Sequence, residues 1–221
     1  LELLACLAAR AVGSGRRVRL SNSREADLAA SPRRLGLEAS IKLGAASDGR
    51  LQAAAMTFWL DCGAYADTCP YMSKAIAVDC SGPYYIPNLN CDSICAYTNH
   101  SFATSFRGFA HESYTFCLER TLDALARRLG MDPYELRLIN AIKPGQTTPT
   151  QVTATASNMG NMTACLQKLK TLINWGEGDR QQLGPHLVKA KGISGLWKTP
   201  NPPTNAAAGA LLTFNTDGSL N

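Results

Sequence analysis

Between Glu112 and Leu129 the residues Tyr114, Cys117, Leu118, Thr121, Leu122, Leu125 and Leu129 recur at helical spacing, while Glu119, Arg120, Asp123, Arg127 and Arg128 fall elsewhere. A stripe of this kind has to be buried against a second apolar surface. Gly130 closes the helix. Asp132, Pro133 and Glu135 then supply an N-cap, a first-turn proline and a capping-box acid for a second helix to about Ala141, which Lys143-Pro144-Gly145 stops. The surface to receive these helices lies upstream. Leu35, Leu37, Ala39, Ile41 and Leu43 alternate with Gly36, Glu38, Ser40 and Lys42, the pattern of a half-buried strand. Asp48-Gly49 reads as a turn, and 51–60 as a partner strand that becomes apolar on both faces as it enters a covered sheet. The expected class is α+β, mixed sheets with packed helices.

The rest of the chain is less regular. Leu4, Leu7, Ala8 and Ala11 predict a helix over 3–12 stopped by Gly13, followed by a strand over Arg17 to Leu20. Asn22 with Glu25 fits a capping box opening a short helix. Residues 61–110 are broken by glycine and proline and read as strands joined by long ordered loops, one strand including Ile94 to Tyr97. Thr, Ser and Asn dominate 146–161, a loop or linker between a unit over 1–145 and the start of another over 162–221. In the latter, 162–173 reads as a helix and 206–214 as a strand leading to an Asp217-Gly218 turn. A start inside a helix and an end just past a turn are expected of a piece of a longer polypeptide.

Composition excludes several classes. With 45% hydrophobic and 18% charged residues, the 221-residue chain is neither disordered nor a coiled coil. No run of about 18 apolar residues lacks a charge, so no membrane span is expected. The net charge of +5 is scattered, with no basic stripe interleaved with aromatics, so nucleic acid is not an expected partner. Glu2 and Arg10 fit a signal peptide poorly. Of the eight cysteines, Cys6 and Cys117 sit in helical patterns as small hydrophobes, which suits a reducing, cytoplasmic setting. Cys91 and Cys95 lack histidines at zinc-finger spacing. Asn99-His100-Ser101 and Asn161-Met162-Thr163 match the glycosylation pattern, relevant only to a secreted protein. Trp59, Trp175 and Trp197 are expected as core or interface fillers, and Tyr65 and Tyr71 fall in the loop-rich middle.

One segment suits chemistry: Ser105-Phe106-Arg107-Gly108-Phe109-Ala110, leading straight into the 112–129 helix. A turn at a helix N-terminus exposes backbone N–H groups and the positive end of the macrodipole, which favours an anionic ligand, and Gly108 permits close approach. An aromatic there can wall a pocket for a planar ring. The alternative is a buried aromatic pair with an arginine capping a neighbouring carbonyl. His111 is expected to cap or to be solvated, and His100 and His186 have no evident partners.

The segment resembles the Ala-Phe-Arg-Gly-Phe-Gly motif of the molybdenum hydroxylases, the family of xanthine dehydrogenase, aldehyde oxidase and nicotinate dehydrogenase. Other stretches resemble the family in the same order: Arg17-Arg-Val-Arg-Leu with Ser23-Arg24-Glu25, Asp48-Gly49-Arg50-Leu51, Asp61-Cys-Gly63-Ala64-Tyr65, and Gly82-Pro83-Tyr84-Tyr85-Ile86-Pro87-Asn88. Tyr97-Thr98-Asn99 precedes the motif, and Leu129-Gly-Met-Asp-Pro-Tyr-Glu-Leu-Arg137 follows with Asn140 and Pro144-Gly145.

The resemblance implies a piece of the molybdopterin-binding subunit, with 1–145 in the first molybdopterin-binding domain and 162–221 at the start of the second. It implies that Phe106, Arg107, Gly108 and Ala110 contact the molybdopterin cofactor, with the Arg107 backbone near the molybdenum ligands, and that Phe109 stacks on the substrate. Members hydroxylate a carbon beside nitrogen, or an aldehyde carbon, with oxygen from water. Electrons leave through iron–sulfur clusters and FAD in partner domains or subunits. The expected partners are those, the remainder of the subunit and a small-molecule substrate. No catalytic residue is expected here, because the family's glutamate and glycine-rich cofactor loop lie outside the sequence, so this piece alone should be inactive. A non-catalytic module derived from such an enzyme is the alternative. Three departures matter: Ala110 stands for the family's last glycine, His111-Glu112-Ser113 for its Gly-Pro-Gln, and Ala75, beside Lys74, for the arginine of purine-oxidising members.

Overall fold

A computed structural model describes residues 2–13, 15–198, 209 and 212–219. Its centre is a three-stranded sheet of order β2-β3-β4, formed by β2 (Gly36–Ala45), β3 (Leu51–Gly63) and β4 (Asn88–Tyr97). β2 and β3 are antiparallel, joined through Asp48-Gly49 as the sequence predicts, and β3 and β4 are parallel. Gly49 has φ +85°, and a Cβ there would stand 2.7 Å from Met131 Sδ. A side chain at this turn would collide with Met131, in the link between the helices at 111–129 and 133–140.

A parallel pair needs a crossover, and here it is α3 (Cys69–Asp79), placed where the sequence suggests only strands and loops. Cys69, Met72, Ser73, Ile76 and Asp79 are its buried residues, at helical spacing. Two of the five are polar, which hides the stripe from a hydrophobicity reading. Pro70 sits in its first turn, a position that tolerates the missing N–H.

The helices expected at 112–129 and after Asp132 form as α4 (His111–Leu129) and α5 (Pro133–Asn140). Gly130 caps α4 at φ +65°, and the Asp132 carboxylate accepts from Tyr134 N at 2.7 Å. Tyr114, Leu118 and Leu122 of α4 join Met56, Phe58 and Leu60 of β3 in one core. Burying each of these side chains contributes about 1.5–3 kcal/mol. A second cluster joins Tyr134 to Leu166 on α6 (Met162–Leu172), to Trp175 and to Ile193. Trp175 Nε1 donates to both oxygens of Asp132 at 3.0 Å. The intervening 146–161 stretch is folded on itself, with Gly145 N bonded to Ala154 O and Ala154 N to Gln146 O.

Several expectations are corrected. Residues 17–20 alternate but form no strand, because no neighbouring strand pairs with them. The short helix α2 (Arg24–Ala30) is capped by Ser23, whose Oγ accepts from Ala26 N at 3.1 Å, and not by Asn22. The 51–63 strand keeps an outer face, since Gln52, Ala55 and Trp59 are exposed. The helix α1 (Glu2–Val12) buries no residue, leaving Leu3, Leu4, Leu7 and the supposed filler Cys6 exposed, because no other described element packs extensively against it. Most of the strand expected over 206–214 lies outside the described residues. No helix among the described residues is long and apolar enough to cross a membrane.

Candidate functional site

Two short strands deliver the 105–110 segment to its place. β1 (Arg33–Arg34) pairs in parallel with β5 (Ala103–Thr104), and Ala103 is fully buried. Beyond β5 the backbone turns sharply through four successive positive φ angles: Arg107 (20°), Gly108 (128°), Phe109 (59°) and Ala110 (67°). Only one of the four is glycine, so three side chains sit where each costs about 1–2 kcal/mol. The reward is an unusual display of backbone. The amides of Arg107, Gly108, Phe109 and Ala110 make no hydrogen bond to another described residue. Ala110, the residue before α4, offers no side-chain cap, so the positive end of a 19-residue helix also faces this turn.

The turn is held from two sides. On the outer side, Arg34 forms an ion pair with Glu112, donates from Nη2 to Arg107 O at 3.4 Å, and lies 5.1 Å from the centre of the Phe106 ring. Glu112 Oε2 packs against Gly108, in the space any Cβ at that position would need. That oxygen is buried and has no hydrogen-bond partner among the described residues. On the inner side, His111 is buried: its Nε2 donates to Asp79 Oδ2 at 2.7 Å, and its Nδ1 lies 3.1 Å from both Gly108 O and Phe109 O.

The sequence-derived site residues meet different fates. Phe106 and Arg107 are exposed, Gly108 and Phe109 are half-buried, and Ala110 is buried. The two phenylalanines are not a buried pair, since Phe106 lies under Arg34 whereas Phe109 packs against the core with Lys198 Nζ 6.0 Å from its ring centre. An arginine does reach a carbonyl, but it is Arg34 and not Arg107. His111, expected to cap or to be solvated, is buried and lies against the carbonyls of the turn. His100 also has partners, bonding Thr98 Oγ1 at 2.8 Å and lying 3.1 Å from Asp61 Oδ2. Tyr65 and Tyr71 are exposed. Sequence reasoning missed Arg34 and Asp79, which stand 73 and 28 positions before Arg107. No local spacing links residues so far apart.

The remaining family-like stretches build the scaffold. Arg137 is fully buried: Nε donates to Glu119 Oε2 at 2.7 Å, Nη2 to Asp123 Oδ1 at 2.8 Å and Nη1 to Pro133 O at 3.0 Å. Burial works against its charge, but the adjacent Glu119 carboxylate holds its pKa above the usual arginine value. Tyr84 OH donates to Glu119 Oε1 at 2.8 Å. Asn140 donates to Gly49 O at 2.9 Å and accepts from Leu51 N at 2.9 Å, tying α5 to the β2–β3 turn. At Gly63 (φ +69°) a Cβ would run into the Ser101 carbonyl.

The molybdopterin cofactor-binding domain family matches residues 1–141. The nicotinate dehydrogenase large molybdopterin subunit of Eubacterium barkeri is 38% identical over 133 residues, 60% of this chain and 31% of that protein. A probable xanthine dehydrogenase subunit of Bacillus subtilis (strain 168) is 37% identical over 141 residues, 64% of this chain and 19% of that one. Among solved structures, the aldehyde oxidoreductase from Desulfovibrio gigas superposes with a TM-score of 0.61 at 30% identity, covering 65% of this chain and 15% of that chain. Quinoline 2-oxidoreductase from Pseudomonas putida 86 gives 0.65 at 25% identity, covering 80% and 22%. The chain thus spans less than a third of the length of these relatives.

Proposed function

This chain belongs to the molybdopterin cofactor-binding domain family, and from that premise we propose that its 106–110 turn is the surface it offers to the cofactor within a complete molybdenum hydroxylase. The observation that carries the reading is the run of four positive-φ residues whose amides bond no other described residue. Unpaired N–H groups at a helix N-terminus suit the anionic groups of a molybdopterin. The orphaned Glu112 Oε2 adds an acceptor for an N–H donor beside them. In this reading Phe106, Arg107, Gly108 and Ala110 contact the cofactor, and the Arg107 backbone stands nearest the metal's ligands. When bound, the metal centre supplies the oxidising power and activates water for hydroxylation of a heteroaromatic or aldehyde carbon.

The chain's own contribution is positioning. The Arg34–Glu112 pair fixes the outer side of the turn and shields Gly108. Phe109, half-buried against the core, presents part of a rigid ring to a flat substrate. Residues 1–145 belong to the first molybdopterin-binding domain and 162–221 open the second. The remainder of the subunit supplies the catalytic glutamate, and iron–sulfur and flavin domains or subunits carry electrons away, in the cytoplasm. Phe109→Ala in the complete enzyme tests the assignment: turnover of a heteroaromatic substrate falls about tenfold while molybdenum per chain stays within about 20% of wild type. Unchanged turnover contradicts a substrate role for Phe109, and an enzyme purified without molybdenum contradicts the cofactor reading.

A further inference from the structure

Asp79 ends α3 and His111 begins α4, and both side chains are only 4% exposed. Both nitrogens of the imidazole face oxygen acceptors, the Asp79 carboxylate at 2.7 Å on one side and the carbonyls of Gly108 and Phe109 at 3.1 Å on the other. Both contacts are hydrogen bonds when both ring nitrogens carry a hydrogen, the doubly protonated ring paired with the Asp79 carboxylate. The Tyr114 ring packs on the imidazole at 5.6 Å between centres, and Trp197 Nε1 lies 3.4 Å from the Asp79 carbonyl, so the pair cannot drift. The carbonyls it holds are not ordinary ones. In a planar trans peptide, C=O and the following N–H point in opposite directions, and the chain contains no cis peptide among the described residues. Drawing Gly108 C=O and Phe109 C=O toward His111 therefore turns the N–H groups of Phe109 and Ala110 away from the protein interior. These are two of the four amides that bond no other described residue.

We propose that His111, braced by Asp79, is a positioning residue that sets the direction of the Phe109 and Ala110 amides by holding the two carbonyls of the turn. Resting on the reading that these amides face the cofactor, the strut selects the orientation in which they can donate to it. His111 stands where the family motif has glycine, so the imidazole is a support particular to sequences that place a donor here. Ala110 in the left-handed region has no glycine's freedom, and the strut supplies from outside what its backbone does not favour.

Two substitutions separate the ends of the ring. His111→Gln keeps an N–H near the Nε2 position for Asp79 but places no donor at Nδ1; His111→Asn does the reverse. In the complete enzyme, amide exchange is followed at positions 111, 113 and 114, whose N–H groups bond to Gly108 O and Ala110 O. His111→Gln should speed that exchange about tenfold. It should also lower molybdenum retained on dialysis and reduce kcat about tenfold with KM within about twofold. His111→Asn should restore slow exchange and most of kcat. If His111→Gln fails to assemble, the neutral pair Asp79→Asn with His111→Gln, which leaves no buried charge unpaired, is expected to give the same pattern. Wild-type exchange in either Gln variant overturns the strut. Faster exchange with unchanged molybdenum and turnover supports the strut and overturns the placement of the cofactor at the turn.

Discussion

The 106–110 turn and the Arg137–Asn140 end of α5 both lie in stretches that resemble one enzyme family, and they are built on opposite rules. Around Arg137 and Asn140 each side-chain nitrogen has an acceptor: Glu119, Asp123, Pro133 O and Gly49 O are all engaged, and the helix start is capped by Asp132. At the turn, three non-glycine residues hold unfavourable backbone angles beside Gly108, and four amides bond nothing among the described residues. A region whose polar groups are all paired can only stabilise. One whose strain is held in place from outside and whose donors stay open has the features that the proposed cofactor contact requires. Family resemblance at a residue therefore does not make it functional, and the hydrogen-bond inventory tells the two kinds apart.

Substitutions sharpen the contrast. The largest effect is expected at Arg137, where Arg137→Ala leaves Glu119 buried without its partner and costs about 3–5 kcal/mol. The assembled enzyme should be recovered in low yield with a sharply lower melting temperature. Asn140→Ala strips Leu51 N and Gly49 O of their partner and costs about 1–3 kcal/mol, read as a smaller drop in melting temperature with molybdenum content per folded chain unchanged. Gly108→Ala should invert this pattern. Its Cβ meets the Glu112 carboxylate and not the hydrophobic core, at a φ of +128° that a non-glycine residue rarely adopts, so the melting temperature of the metal-free enzyme should fall, but by less than in Arg137→Ala. Molybdenum per chain should fall severalfold. Equal losses of stability and of metal in all three variants would erase the distinction between the regions.

Much of the scaffold was legible because its determinants are local. The α4 stripe, Gly130, the Asp132-Pro133 cap and the β2 alternation each act within a few residues, and each element formed as its pattern predicts. Helix α3 escaped notice because two of its five buried positions are Ser73 and Asp79, whose partners, Ser93 and His111, lie elsewhere in the chain. The 17–20 segment shows the converse: alternation without a neighbour makes no strand. The turn's location was legible as Gly108 before a helix, but its supports were not. Arg34 and Asp79 reach it only through the fold, and nothing in the spacing of a histidine at a helix start distinguishes a solvated ring from one clamped between a carboxylate and two carbonyls.

The central claim is that the amides of Arg107 to Ala110 are held open for the cofactor. A structure of the complete, molybdenum-loaded enzyme measures this directly. The account predicts at least two of those four nitrogens within about 3.2 Å of acceptor atoms of the cofactor, with His111 still bonded to Asp79; a cofactor bound elsewhere, with the four amides open to solvent, would contradict it.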